Sequence, residues 1–152
     1  MNNSKISFYL NNSKVEASKD ETIWQVASRL GTEIPHLCYA NKPGYRADGN
    51  CRACMVEIEG ERVLAASCIR KPTDSMKVKT SSERAKKSRE LVFELLLADQ
   101  PKKEIAHDNN SDFWKWIDKV EVKESRFPKK TSCEADVSHP SMAVNLDACI
   151  QC

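Results

Sequence analysis

Seven cysteines stand at positions 38, 51, 54, 68, 133, 149 and 152 of this 152-residue chain, and thiolate chemistry is the first possibility they raise. Seven is an odd number, so they cannot all pair as disulfides. The amino terminus, Met1-Asn2-Asn3-Ser4-Lys5, is polar and carries no secretory signal. A cysteine-rich chain without such a signal reads as metal binding before it reads as a disulfide framework. The central set is Cys38-x12-Cys51-x2-Cys54-x13-Cys68. Four thiolates are the ligand set of a [2Fe–2S] cluster, a [4Fe–4S] cluster or structural zinc. Zinc sites usually join two close-spaced pairs, whereas this set has one close pair and an isolated cysteine on each side. The asymmetry favours iron and sulfide over a zinc-stabilised interaction module.

Such a set needs a loop that can wrap a cluster and elements that hold the loop still. Residues 35–50 supply the loop, because periodicity vanishes there and Pro35, Pro43-Gly44 and Gly49 punctuate it. Gly44 and Gly49 would let backbone come close to a cluster and aim N–H groups at its sulfurs. Arg52 and Ala53 lie inside the close pair, one a cation and one small. Around this loop, Ile6, Phe8 and Leu10 alternate with polar neighbours, turn at Asn11-Asn12-Ser13 and return through Val15 and Ala17, which predicts a β-hairpin. A helix is predicted over 21–30, with Ile23, Val26, Ala27 and Leu30 on one face and Gly31 after it. Residues 55–59 and 62–67 predict a second hairpin, and 76–80 a fifth strand. The fold class is therefore α+β.

Further along, Ala85, Ser88, Val92, Leu95 and Leu96 recur at helical steps over 82–98, with Ser82 as the cap and Pro101 beyond the end. Residues 99–110 read as a linker. A short aromatic helix follows Ser111 with Phe113, Trp114, Trp116 and Ile117, and 125–142 reads as an extended connector without period. The expected organisation is a 1–81 domain, an 82–124 helical segment, and a 125–152 connector with the start of a truncated second cluster domain. Lys and Arg outnumber acids eight to three over 70–90, yet the whole chain carries only +2 and has no nucleic-acid motif, so no nucleic-acid partner is expected. No apolar run approaches a membrane span, and a cytoplasmic protein is expected. Paired carboxylates, a nucleophile with its base, and a phosphate loop are all missing from the sequence, so no catalytic residues are assigned.

Ile34-Pro35-His36-Leu37-Cys38 and Asn50-Cys51-Arg52-Ala53-Cys54-Met55-Val56-Glu57-Ile58-Glu59-Gly60, ending at Ala65-Ala66-Ser67-Cys68, closely resemble the amino-terminal ferredoxin domain of large iron–sulfur oxidoreductase subunits. Those subunits occur in NAD-dependent molybdenum formate dehydrogenases, in complex I and in NAD-linked hydrogenases. The stretch 138–152, from Ser138-His139-Pro140 to Cys149-Ile150-Gln151-Cys152, looks most like the formate dehydrogenase alpha subunit. The resemblance runs along essentially the whole chain. It implies a β-grasp fold and one [2Fe–2S] cluster on Cys38, Cys51, Cys54 and Cys68. It implies electron transfer within a formate-oxidising, NAD-reducing complex, with other subunits including an NAD- and flavin-binding diaphorase unit as partners. A near-neutral chain suits a built-in relay better than a free acidic shuttle.

Two departures limit what the resemblance carries. Relatives from complex I and the hydrogenases continue with Leu-Ala-Asp-His and a three-cysteine motif, whereas Leu97-Ala98-Asp99 is followed here by Gln100. His107 and Cys133 are accordingly expected to be surface or packing residues. Cys149 and Cys152 form half of the Cys-x2-Cys-x2-Cys-x3-Cys run of bacterial ferredoxins, a partial [4Fe–4S] set that only a longer parent chain could complete. The chain thus reads as a piece of a longer subunit.

Overall fold

The computed structural model describes residues 5–129, 131, 134–147 and 149–150. Two compact units divide the chain, Met1–Arg89 and Glu90–Cys152, so the division falls within one helix.

In the first unit, β1 (Lys5–Leu10) and β2 (Ser13–Ser18) pair antiparallel with Phe8 opposite Val15 and Leu10 opposite Ser13. Asn11 and Asn12 make the turn with φ of 49° and 70°, the left-handed values that asparagine tolerates and hairpin turns require. Helix α1 (Ile23–Arg29) follows. Its start is fixed by a capping box, in which the Thr22 hydroxyl accepts from the Gln25 N–H while the Gln25 side chain accepts from the Thr22 N–H. The strands β3 (Met55–Ile58), β4 (Ala65–Ala66) and β5 (Lys77–Lys79) complete a five-stranded sheet in the order β2-β1-β5-β3-β4. β1 and β5 run parallel, with Leu10 beside Val78, and the other pairs are antiparallel. A mixed sheet crossed by a single helix is the α+β, β-grasp arrangement expected of the sequence.

The core lies between sheet and helix. Phe8, Val56 and Val78 from the strands meet Ile23, Val26 and Ala27 from α1, each no more than 1% exposed. Leu30, predicted on the buried face, is 47% exposed, and Trp24 fills the core instead.

Helix α2 (Glu83–Asp99) starts as expected, with the Ser82 hydroxyl accepting from the Ala85 N–H at 3.2 Å. Its buried stripe differs from the predicted one. Ala85, Arg89, Phe93 and Ala98 are buried, while Leu95 faces out. Arg89 can lie inward because its guanidinium donates to the Thr80 carbonyl at 2.6 Å and to Ala85 at 3.3 Å, satisfying a charge that periodicity alone would place in water.

In the second unit, α3 (Asp112–Val120) buries Phe113, Trp114 and Ile117, and Phe93 and Phe113 pack with ring centroids 6.3 Å apart. The stretch 125–142, expected to be extended and without period, leads instead into a small hairpin of β6 (Asp136–His139) and β7 (Met142–Val144). Every residue of both strands is exposed, so no buried face imposes an apolar alternation on the sequence. Among the described residues no helix is long and apolar enough to cross a membrane.

Candidate iron–sulfur site

Two structural devices bring the four central cysteines together. The first is the β3/β4 ladder. Because Met55 pairs with Ala66, the next position outward sets Cys54 against Ser67, and both the N–H and the hydroxyl of Ser67 donate to the Cys54 carbonyl, at 3.2 and 2.7 Å. Cys54 and Cys68 therefore leave the end of that ladder side by side, each 1% exposed. The second device is the anchoring of the 35–50 loop on α1. Trp24 donates its indole N–H to the Ile34 carbonyl at 3.1 Å, and its ring meets His36 and Tyr39 edge-on at 4.5 and 5.1 Å. Gln25 donates to the Tyr39 hydroxyl, which donates to Asn41. The α1 amides of Ile23 and Trp24 in turn donate to the carbonyls of Arg70 and Ser67. One short helix thus holds both cysteine-bearing segments.

The thiols fall into two pairs. The Cys38 N–H donates to the Cys51 sulfur at 3.5 Å, and the Cys51 side chain also interacts with the Cys38 thiol. Burial pushes the Cys51 thiol up, while the backbone amides of Cys38 and Ala53 pull it the other way. In the second pair, a hydrogen bond from the Cys68 thiol, with help from the Cys68 amide and from Ser67, draws Cys54 down from 9.0 to about 6. Cys68 is pushed far up by that same bond, by burial, and by the nearby thiols of Cys54, Cys38 and Cys51. The influence of all three on Cys68 places the four sulfurs in one neighbourhood. Among the described residues, no three His, Cys, Asp or Glu side chains are grouped around a single metal position. Two pairs match a group with two metal centres and two thiolates on each.

Backbone geometry serves the same end. Arg52, between the ligand candidates, has φ 59°, a left-handed conformation that a non-glycine residue rarely takes. The sequence offered only Gly44 and Gly49 for such a role. At Gly44 the backbone needs φ 84°, but no atom of the chain lies within 4 Å of where a Cβ would be, so the turn and not crowding calls for glycine. At Gly49 both reasons hold, since φ is 68° and a Cβ would sit 3.0 Å from Ile69 Cδ1. Gly49→Ala is expected to lower stability by about 1–2 kcal/mol, mostly from the left-handed strain because the Ile69 tip can shift. Urea denaturation of the two proteins measures it, and an unchanged midpoint would show that this turn relaxes freely.

A sequence profile described as a 2Fe-2S iron-sulfur cluster binding domain matches residues 3–83, the sheet, the loop and all four cysteines. The chain belongs to this family. The chain is 32% identical to the NADP-reducing hydrogenase subunit HndD of Solidesulfovibrio fructosivorans over 98% of this chain and 26% of that subunit. It is also 36% identical to an NADH-quinone oxidoreductase subunit of Rickettsia felis, over 63% of this chain and 14% of the relative. The chain therefore spans about a quarter or less of these relatives. Among solved structures it resembles a chain of an NAD+-reducing [NiFe]-hydrogenase crystallised in the H2-reduced state. The TM-score there is 0.81 at 24% identity, covering 97% of this chain and 63% of the other, a likeness of fold.

The remaining expected residues lie elsewhere. His107 is exposed. Cys149 is exposed, with its N–H donating to Leu146 at 3.1 Å and its carbonyl accepting from Gln100 Nε2 at 3.3 Å. Gln100, which follows Leu97-Ala98-Asp99, is itself 5% exposed and holds this backbone. Cys133 and Cys152 lie outside the described residues.

Proposed function

We propose that the chain carries one electron at a time through a [2Fe–2S] cluster held by Cys38 and Cys51 on one iron and Cys54 and Cys68 on the other. The observation behind this reading is the pairing of the four thiols, with backbone amides aimed at the sulfurs of Cys51 and Cys54. When bound, the cluster supplies reversible one-electron chemistry without proton or atom transfer. The protein's own part is to bind it rigidly, to keep the Cys54/Cys68 side away from water, and to set its electrostatic surroundings through those amides and Arg52. The wider role is a relay in an NAD-linked oxidoreductase of several subunits, since the relatives are a hydrogenase subunit and quinone oxidoreductase subunits. Within that class, a formate dehydrogenase alpha subunit is our finer reading, supported by the 138–152 stretch. A hydrogenase subunit is the second reading, supported by the 98% coverage by HndD.

Anaerobic purification tests the cluster. About two irons and two sulfides per chain, with an electron-spin signal on reduction, are expected. One tightly bound zinc in a colourless solution would replace the electron-transfer reading with a structural one. NAD reduction by the native complex with formate or with hydrogen separates the two finer readings.

A further inference from the structure

The two thiol pairs differ in depth, and the shallower one lies in a loop of net positive charge. Cys54 and Cys68 are 1% exposed, whereas Cys38 and Cys51 are half-buried. Electron transfer falls off with distance, so the Cys38/Cys51 edge is the natural point of entry. The 41–52 loop around it is exposed except at Ala47, Gly49 and Cys51. It carries Lys42, Arg46 and Arg52 against Asp48 alone. The loop therefore carries a net +2. Arg46 and Asp48 form an ion pair at 2.9 Å, leaving Lys42 and Arg52 as the net cations. Beside them stand two exposed apolar groups, Tyr45 at 64% and Ile69 at 45%, the latter lying against Gly49. Tyrosine, arginine and an aliphatic side chain around a shallow redox edge make the composition of a binding surface.

We propose that the 41–52 loop with Ile69 is the docking surface for an acidic one-electron carrier protein. This inference rests on the electron-transfer reading above. The partner gives up one electron and this protein gains it, with no bond formed or broken and no proton moved. An acidic face would be steered towards Lys42 and Arg52 over roughly a Debye length, and the exposed Tyr45 and Ile69 beside the shallow thiol pair distinguish this loop from the basic 70–90 stretch.

The probe is an immobilised acidic plant-type ferredoxin, with surface plasmon resonance as the readout and iron content measured on every sample. The wild type should bind at low salt and lose about tenfold in affinity by ~0.3 M salt. Lys42→Glu with Arg46→Glu should weaken low-salt binding by about tenfold or more. Lys14→Glu with Lys19→Glu, on and after the opposite edge strand β2, makes the same change in net charge and should retain binding within about threefold. Equal losses in both variants would show that only net charge matters, and salt-independent or absent wild-type binding would show that no acidic partner docks; either overturns the proposal. If the glutamate variant loads no iron, Lys42→Gln replaces it, with a loss of about threefold expected and an unchanged affinity counting against the surface. Because binding is read separately from iron, a protein that binds ferredoxin but holds no cluster refutes the function and not the surface.

Discussion

Cys54→Ser is expected to fold and to lose nearly all of its iron, falling from about two irons per chain to almost none. The fold should survive because the contacts that align β3 with β4 at this point are made by backbone. Ser67 donates twice to the Cys54 carbonyl, and neither bond involves the sulfur. A serine hydroxyl can also accept from the Cys68 thiol in the space Cys54 leaves. Iron loss follows from chemistry and burial together. A hydroxyl remains protonated at neutral pH and is a hard oxygen donor, whereas iron in a sulfide-bridged centre takes soft thiolate. At 1% exposure no water or external thiol can reach the gap to replace it. Cys133→Ser and Cys149→Ser should keep the iron and the visible spectrum of the wild type. Iron and sulfide analysis with circular dichroism on all three proteins gives the result. Loss of chromophore from Cys133→Ser, or its retention in Cys54→Ser, would show that the ligand set has been misassigned.

Some of this was readable from residue order and some could not be. The four cysteines stood out because ligand chemistry is concentrated in a few residue types, and Cys51-x2-Cys54 is close enough in sequence to be noticed. Their pairing was not readable, since the closest two in sequence do not pair with each other. Arg52 turns the chain between them through a left-handed step, and the β3/β4 ladder delivers Cys54 to Cys68 instead. Both causes are three-dimensional. The hairpins followed from alternation, but the parallel pairing of β1 with β5 joins Leu10 to Val78, and no local period encodes a contact of that span. On α2, a hydrophobic-face argument chose Leu95 over Arg89 because it ranks side chains by polarity. Two accepting carbonyls, invisible in a sequence, reversed that order. The capping box at Thr22 and Gln25, a Thr-x-x-Gln signature that the periodicity argument passed over, starts α1 two residues later than the predicted 21.

The metal-free protein should show a stability that rises from about pH 6 to about pH 9 and falls beyond it. The Cys68 thiol donates to Cys54 and holds its folded value at about 6, against 9.0 for an ordinary thiol. Between those two pH values the folded Cys54 is ionised and the unfolded one is protonated, so the unfolded state binds more protons and stability climbs with pH. Cys54 thus contributes fully above 9, and its contribution is lost as the pH falls through 6. Cys68 acts in the opposite sense, because the same bond and the surrounding thiols keep it protonated in the folded state well beyond the ordinary range. Burial raises Cys51 as well. Above about pH 9 both ionise more readily when unfolded, the proton balance changes sign, and stability declines. The rise is worth at most about 4 kcal/mol, from a depression of roughly three units at 1.36 kcal/mol each. Urea midpoints of the apo protein at about pH 5, 7, 9 and 10 trace the curve, with Cys54→Ala as the control that should lack the climb. A wild-type profile that is flat from pH 6 to 9, or one matched by Cys54→Ala, would mean that Cys54 and Cys68 do not share a proton. A thiolate present at neutral pH before any metal arrives would also make Cys54 ready to bind iron ahead of Cys68, which must first give up its proton.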